Sequence, residues 1–137
     1  MKKIAMFAAF IMAIIFSSNA SAENWELVNN YESAYVYVDK DSIQRGTKSE
    51  KFPKFNREDG FSAKVKMEIR DKDPKLNMEM VHLTSFYKKD GERMLCTLES
   101  CDGANYPEKE SDIIEEKVDS KGRELYKIWD YIEKNLK

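Results

Sequence analysis

The stretch FSAKVKMEIR, residues 61–70, has the clearest β-strand pattern in the chain. Polar and apolar side chains alternate through it without a break, as they do in a strand whose two faces meet different surroundings. One face carries only apolar residues: Phe61, Ala63, Val65, Met67 and Ile69. This alternation predicts a sheet with one covered face and one solvent-facing face.

A β-hairpin is predicted directly after this strand. The segments LNMEMVHLTSFYKK (76–89) and ERMLCTLE (92–99) are strand-like, and only Asp90-Gly91 separates them. An Asp-Gly pair favours a two-residue turn, because both positions of that turn need positive φ. The opposed cross-strand pairs would then be Lys89 with Glu92 and Phe86 with Leu95.

Two further strands are predicted near the start of the chain, in NWELVNN (24–30) and AYVYVD (34–39). In the second, Tyr35 and Tyr37 alternate with valines, so one side of the strand is aromatic and the other aliphatic. Tyrosine is favoured at recognition surfaces because it offers apolar area with a polar tip. Tyr35 and Tyr37 are therefore candidate residues of a partner surface. The alternative is that the fold covers both faces of this strand.

The segment DSKGRELYKIWDYIEKNLK (119–137) is predicted to be a helix. Its apolar residues recur at helical spacing: Leu125, Ile128, Trp129, Ile132 and Leu136. Asp119 or Ser120 is expected to cap the first turn. A helix with one apolar stripe is expected to cover the apolar face of the sheet.

These elements predict an α+β domain, an antiparallel sheet of about five to six strands packed against one C-terminal helix. The segment SDIIEEKV (111–118) is a candidate for one more strand. Residues 46–60 are polar and include Pro53, which predicts a loop with at most a short edge strand.

The acidic run DKDS that begins at Asp39 allows two interpretations. Counted as a calcium loop of the EF-hand type, Asp39, Asp41 and Glu50 fit, but the fifth position is Ile43 and the glycine is missing. The alternative is a turn whose free N–H groups are capped by Asp39, with Ile43 anchored in the core. The missing ligand and glycine favour the turn, and no metal or other cofactor is predicted.

Residues 1–22 have the three parts of a secretory signal peptide. Met1-Lys2-Lys3 is basic, residues 4–16 are apolar, and an Ala-Ser-Ala cleavage motif follows. The apolar run is shorter than the ~20 residues that a spanning helix needs. We therefore expect an exported single domain of residues 23–137, located in the periplasm, at the cell surface or outside the cell. It would have no membrane span after cleavage and, lacking a cysteine at the cleavage site, no lipoprotein anchor.

The chain has two cysteines, Cys96 and Cys101, which lie five positions apart. In an exported protein such a pair is expected to form a disulfide, and we predict one between Cys96 and Cys101. A redox pair would favour C-x-x-C at a helix start. A metal site would need more ligands, and His82 is the only histidine.

No catalytic or nucleic-acid-binding motif is evident. His82 lies alone in a predicted strand, without a recognisable nucleophile beside it. The chain also lacks a glycine-rich phosphate loop and a nucleophile elbow. Without Lys2 and Lys3, the 21 basic and 25 acidic residues give a net charge of −4, which offers no attraction to nucleic acid.

The segments WELV (25–28) and YVYVDKDSI (35–43), placed after a signal peptide, resemble the surface-adhesin protein E family of small exported bacterial domains. The segment VDSKGREL (118–125) is similar to the one that opens the family's C-terminal helix, although its proline is missing. The resemblance implies an antiparallel sheet packed with a helix, and a protein that binds other proteins. It transfers no binding residue, because the matched motifs are not the adhesive segments.

We therefore predict an exported, non-enzymatic binding module that engages protein partners, either host matrix proteins or proteins of the envelope. One alternative is a periplasmic structural protein with no host ligand. The other is a small hydrolytic enzyme.

Overall fold

The segment with the clearest strand pattern lies at the centre of one open antiparallel sheet. The computed structural model describes residues 23–136, so the predicted leader lies outside the described residues. In this range seven strands form the sheet, and one α-helix packs against it. The strands are β1 (Trp25–Tyr31), β2 (Ala34–Asp39), β3 (Gln44–Thr47), β4 (Arg57–Ile69), β5 (Met78–Lys89), β6 (Glu92–Ser100) and β7 (Glu116–Lys117), and helix α1 is Tyr126–Lys134. The predicted α+β class is confirmed.

Strand β4 is long because it pairs with two successive strands on the same side. Its second half pairs with β2, where Val65 lies opposite Val38. Its first half pairs with β3, where Ser62 lies opposite Gln44. The order along the sheet is β1-β2-β4-β5-β6-β7, with β3 beside β4. The loop predicted for residues 46–60 is thus shorter than expected, because the end of β3 and the start of β4 fall within it.

The acidic run after β2 is a capped turn. The Asp39 carboxylate accepts a hydrogen bond from the Asp41 N–H at 3.1 Å, and the turn spans Lys40–Ser42. The Ser42 hydroxyl donates to the Asp39 carbonyl at 2.7 Å and accepts from the Lys64 N–H at 2.8 Å, which ties the turn to β4. Ile43 is buried in the core. The capped-turn interpretation is confirmed.

The hairpin between β5 and β6 has the predicted two-residue turn. Asp90 and Gly91 have φ angles of 54° and 82°. The predicted cross-strand pairs are both present: Lys89 with Glu92 and Phe86 with Leu95.

Gly60 lets β4 pass close to β5. Its φ is +79°, and a Cβ at this position would lie 2.3 Å from the Phe86 carbonyl oxygen. Any larger residue would force the backbone of one strand to move.

Helix α1 packs on the face of the sheet that the pattern of β4 predicted to be apolar. The Trp129 ring lies edge-on to Phe61 with centroids 4.7 Å apart, and Phe61 stacks on Phe86 at 5.6 Å. Ile128 and Ile132 of the helix are buried beside them. The other buried sheet residues of this cluster are Val36, Val38 and Ala63, and Ile43 of the turn after β2 packs with them.

The helix begins at Tyr126, later than predicted. Gly122 and Glu124 have positive φ, which helical backbone does not allow. The Asp119 carboxylate binds the guanidinium of an arginine of β6, and the Ser120 hydroxyl donates to a backbone carbonyl. The prediction that either residue caps the helix is therefore wrong.

The helix is too short to cover the sheet. Its nine residues span about 13 Å. Strands β4 and β5 have 13 and 12 residues and span roughly 40 Å. Part of the apolar face therefore extends beyond the helix. Within residues 23–136, no helix has the length and apolar character to cross a membrane.

Candidate functional site

The two cysteines do not form the predicted disulfide. Both thiols are free, with Cys96 buried and Cys101 exposed. Cys96 lies within β6, and strand pairing continues past the end of β6, where the Cys101 N–H donates to the Val81 carbonyl at 2.7 Å. Five residues of extended chain span roughly 16 Å, whereas bridged cysteines have Cα atoms about 4.4–6.8 Å apart. The extended strand thus keeps apart two residues that are close in sequence.

Tyr35 and Tyr37 lie on the sheet face opposite α1. The valines that alternate with them, Val36 and Val38, belong to the core beneath the helix. Both tyrosines are half-buried. We call their side of the sheet the open face and define it by these residues: Trp25, Leu27, Tyr35, Tyr37, Lys66, Glu68 and Arg70.

Cations of β4 and of the residue after it lie over the aromatic rings of the open face. The Lys66 Nζ lies 4.8 Å from the Trp25 ring centre and 4.7 Å from the Tyr37 ring centre. The Arg70 guanidinium lies 4.1 Å from the Tyr35 ring centre. Cation–π contacts of this kind hold both partners in place at modest energy.

Glu68 connects these cations. Its carboxylate accepts hydrogen bonds from Arg70 at 2.9 Å and from the Tyr37 hydroxyl at 3.3 Å, and the Lys66 Nζ is 3.7 Å away. The hydrogen bond from Arg70 is the main cause that lowers the pKa of Glu68. The same bond raises the pKa of Arg70. Glu68 therefore stays ionised and orients the ring of Tyr37 and the head group of Arg70.

The open face reaches the edge of the sheet. Strand β1 is the terminal strand, and its Leu27 lies opposite Tyr37 with 51% of its surface exposed. An exposed apolar side chain on an edge strand is a feature that a partner can cover.

At the opposite end of the same sheet face, the side chains are buried. Tyr87 and Cys96 are buried there, and the Tyr87 hydroxyl donates to the Glu115 carboxylate. The Arg57 guanidinium lies 4.3 Å from the Tyr87 ring centre. Burial raises the pKa of Tyr87, while the hydrogen bond from Tyr87 lowers that of Glu115. The sequence pattern did not indicate this cluster, because it assigned Arg57 to a loop and Glu115 to a strand.

A cavity of about 320 Å³ lies on the helix side of the sheet. Its apolar lining includes Val65 and Met67 of β4, Met80 of β5, and Leu125 and Ile128 at the start of the helix. It exists because the helix covers only part of the apolar face.

Three polar side chains of β5 and β6 also line this cavity: His82, Thr84 and Thr97. Thr84 and Thr97 are directly paired across β5 and β6. Among the described residues, none of the three side chains has a hydrogen-bond partner. Burial lowers the pKa of His82, and the Asp102 carboxylate acts more weakly in the opposite direction. Burial thus favours the neutral form of the imidazole.

His82 is not joined to a catalytic group. Ser100 lies opposite it across the strands, but the Ser100 hydroxyl donates to Asp102, whereas a catalytic serine donates to its histidine. Asp102 also accepts the N–H groups of Val81 and Ala104, and these three hydrogen bonds lower its pKa to about 2. Within residues 23–136, no group of three or more histidine, cysteine, aspartate or glutamate side chains could hold a metal ion.

Comparison with known proteins gives no relative from which to assign this site. No protein-family model matches the chain, and no curated protein or solved structure matches it either.

Proposed function

We propose that this protein is an exported, non-enzymatic binding module that engages a protein partner through its open face. The observation that carries the proposal is the position of Tyr35 and Tyr37. They lie with Trp25 and the exposed Leu27 on a sheet face that the helix leaves free. Tyrosine, tryptophan and arginine are the residues most enriched where binding energy concentrates in protein interfaces.

The order within this face supports the same proposal. Lys66 contacts both the Trp25 and the Tyr37 rings, and Glu68 holds Arg70 against Tyr35. Side chains that are ordered before binding lose less conformational entropy when a partner arrives. The resemblance to the surface-adhesin protein E family, read from residues 25–28 and 35–43, points to the same class of function.

A structural protein of the periplasm is the second candidate. It would use the same face, but its partner would be a component of the bacterial envelope and not a host protein. The exposed edge strand β1 favours a contact with another protein in either case.

Capture on the immobilised protein tests the proposal and separates the two candidates. One arm uses purified host matrix proteins, and the other uses bacterial envelope extract. Each is repeated with the Tyr35→Ser/Tyr37→Ser variant and with Tyr126→Ser, which removes an exposed tyrosine from the helix. We expect a ligand that the wild type and Tyr126→Ser retain and the double variant loses. Retention that does not depend on Tyr35 and Tyr37 would refute the proposal.

A further inference from the structure

The helix-side cavity combines apolar walls with unpaired hydrogen-bonding groups. Its volume is about 320 Å³, within the range of small-molecule sites, which are largely apolar with a few placed polar groups. Thr84 is only 6% exposed, and its side chain has no hydrogen-bond partner among the described residues. A hydroxyl that has no partner within the protein can donate a hydrogen bond to a ligand and accept one from it.

The hydroxyl of Thr84 opens onto the cavity. No fully buried side-chain nitrogen or oxygen in the described range lacks a partner, so this hydroxyl oxygen must retain contact with the cavity space. Thr97 lies directly opposite on β6, and His82 lies two residues earlier on β5, on the same side of the sheet. The three side chains therefore form one uncharged polar patch within a mainly apolar surface.

The charges around the cavity indicate the charge of its ligand. Glu116 and Arg123 both line it, and they neutralise each other through a 2.8 Å ion pair. Threonine hydroxyls and a neutral imidazole can donate and accept hydrogen bonds without adding charge. An ionised head group would lose its hydration here without gaining a net opposite charge.

We infer that this cavity binds a small, uncharged, mainly apolar molecule that carries a hydroxyl or carbonyl group. The apolar body contacts Val65, Met67 and Met80, and the polar group bonds to Thr84 and Thr97 with His82 beside them. This site lies on the face of the sheet opposite Tyr35 and Tyr37. Its occupancy is therefore independent of the proposed protein partner.

A set of three naphthalene probes tests the inference on the purified protein. The probe 2-naphthol is neutral with a hydroxyl, 2-naphthoate is anionic, and naphthalene has no polar group. NMR of methionine methyl groups follows binding, with Met67 and Met80 as reporters inside the cavity and the exposed Met78 outside it. We expect 2-naphthol to bind most tightly and to shift Met67 and Met80 in a saturable manner.

Variants identify the groups responsible. Thr84→Val and Thr97→Val each remove one hydroxyl, and each is expected to weaken 2-naphthol about tenfold without changing the affinity for naphthalene. Thr47→Val is the matched control, because Thr47 is buried on the opposite face and shares a 2.7 Å hydrogen bond with Ser85. It should lower stability and leave the affinity unchanged, whereas Thr84→Val should lower the affinity without lowering stability.

Three results would overturn the inference. The first is that none of the three probes causes saturable shifts at Met67 and Met80. The second is that 2-naphthoate binds more tightly than 2-naphthol. The third is that Thr84→Val and Thr97→Val both bind 2-naphthol with the affinity of the wild type. None of them bears on capture by the open face, so the two proposals fail separately.

Discussion

The ammonium group of Lys66 lies 4.7 Å from the centre of the Tyr37 ring. The two residues are register partners on β4 and β2, and the same ammonium lies 4.8 Å from the centre of the Trp25 ring. The aromatic side of β2 is therefore ordered by a neighbouring cation, and it is not covered by the helix.

Replacing Lys66 by methionine should destabilise the protein by about 1 kcal/mol. Methionine keeps an apolar stem of similar length but removes the cation, which also forms an ion pair with Glu68. A cation–π contact contributes about 0.5–1 kcal/mol at exposed sites and more where it is desolvated. Chemical denaturation measures the change in the free energy of unfolding. The control is Lys72→Met in the exposed β4–β5 connection, which should change stability much less. Equal effects of the two substitutions would show that the rings do not stabilise the cation.

Gly60→Ala should destabilise the fold far more than Gly91→Ala. Both glycines have positive φ, so each alanine carries a backbone strain of about 1–2 kcal/mol. Only at Gly60 would the new Cβ also collide with the Phe86 carbonyl, whereas nothing lies within 4 Å at Gly91. Parallel thermal and denaturant unfolding of the two variants isolates the collision. Similar losses for both would contradict the close approach of β4 and β5.

The native protein should contain two free thiols of unequal reactivity. An aromatic disulfide reagent is expected to titrate the exposed Cys101 quickly and Cys96 only after denaturation, because burial shields Cys96 and raises its pKa to about 11. Cys101→Ser should remove the fast reaction alone. A native mass lower by two hydrogens, with no titratable thiol, would show a disulfide that this structure does not contain.

His82 should titrate below the ordinary histidine range. Because it is the only histidine in the sequence, its imidazole signals in an NMR titration are unambiguous. Burial lowers its pKa in the folded protein, so the unfolded chain binds the proton more readily. The contribution of neutral His82 to the free energy of unfolding is therefore fully present above the unfolded pKa of about 6.5. It is lost as the pH falls through the folded pKa.

His82→Gln should remove that part of the pH dependence of unfolding, measured from about pH 7 to 5. The NMR titration of His82 in the Asp102→Asn variant provides a second check. Loss of the carboxylate that raises the His82 pKa should lower that pKa further. A folded-state pKa at or above the ordinary value would show that burial is not the dominant influence on His82.

Local patterns predicted much of this fold. The alternation in residues 61–70 identified the central strand and its apolar face, and Asp90-Gly91 fixed the register of β5 and β6. These features depend on side-chain period and turn chemistry, which are properties of adjacent residues. The capped turn at Asp39 was predictable for the same reason.

Tertiary contacts account for most of the errors. The helix starts later than predicted because Glu124 has positive φ and because the Asp119 carboxylate binds the guanidinium of Arg93 instead of capping the helix. The spacing of apolar residues indicates neither feature. The disulfide prediction used the separation of Cys96 and Cys101 in sequence and ignored the extension of β6. The cavity lined by His82, Thr84 and Thr97 could not be predicted from local patterns. It arises because a short helix covers only part of a face formed by long strands.

The most direct test of the binding proposal is the dissociation constant of the captured partner, measured for wild type, Tyr35→Ser/Tyr37→Ser and Tyr126→Ser. If Tyr35 and Tyr37 are central contacts, the double variant should bind at least about tenfold more weakly, while Tyr126→Ser should bind as the wild type does. Equal dissociation constants for the three proteins would contradict the assignment of the open face as the binding surface.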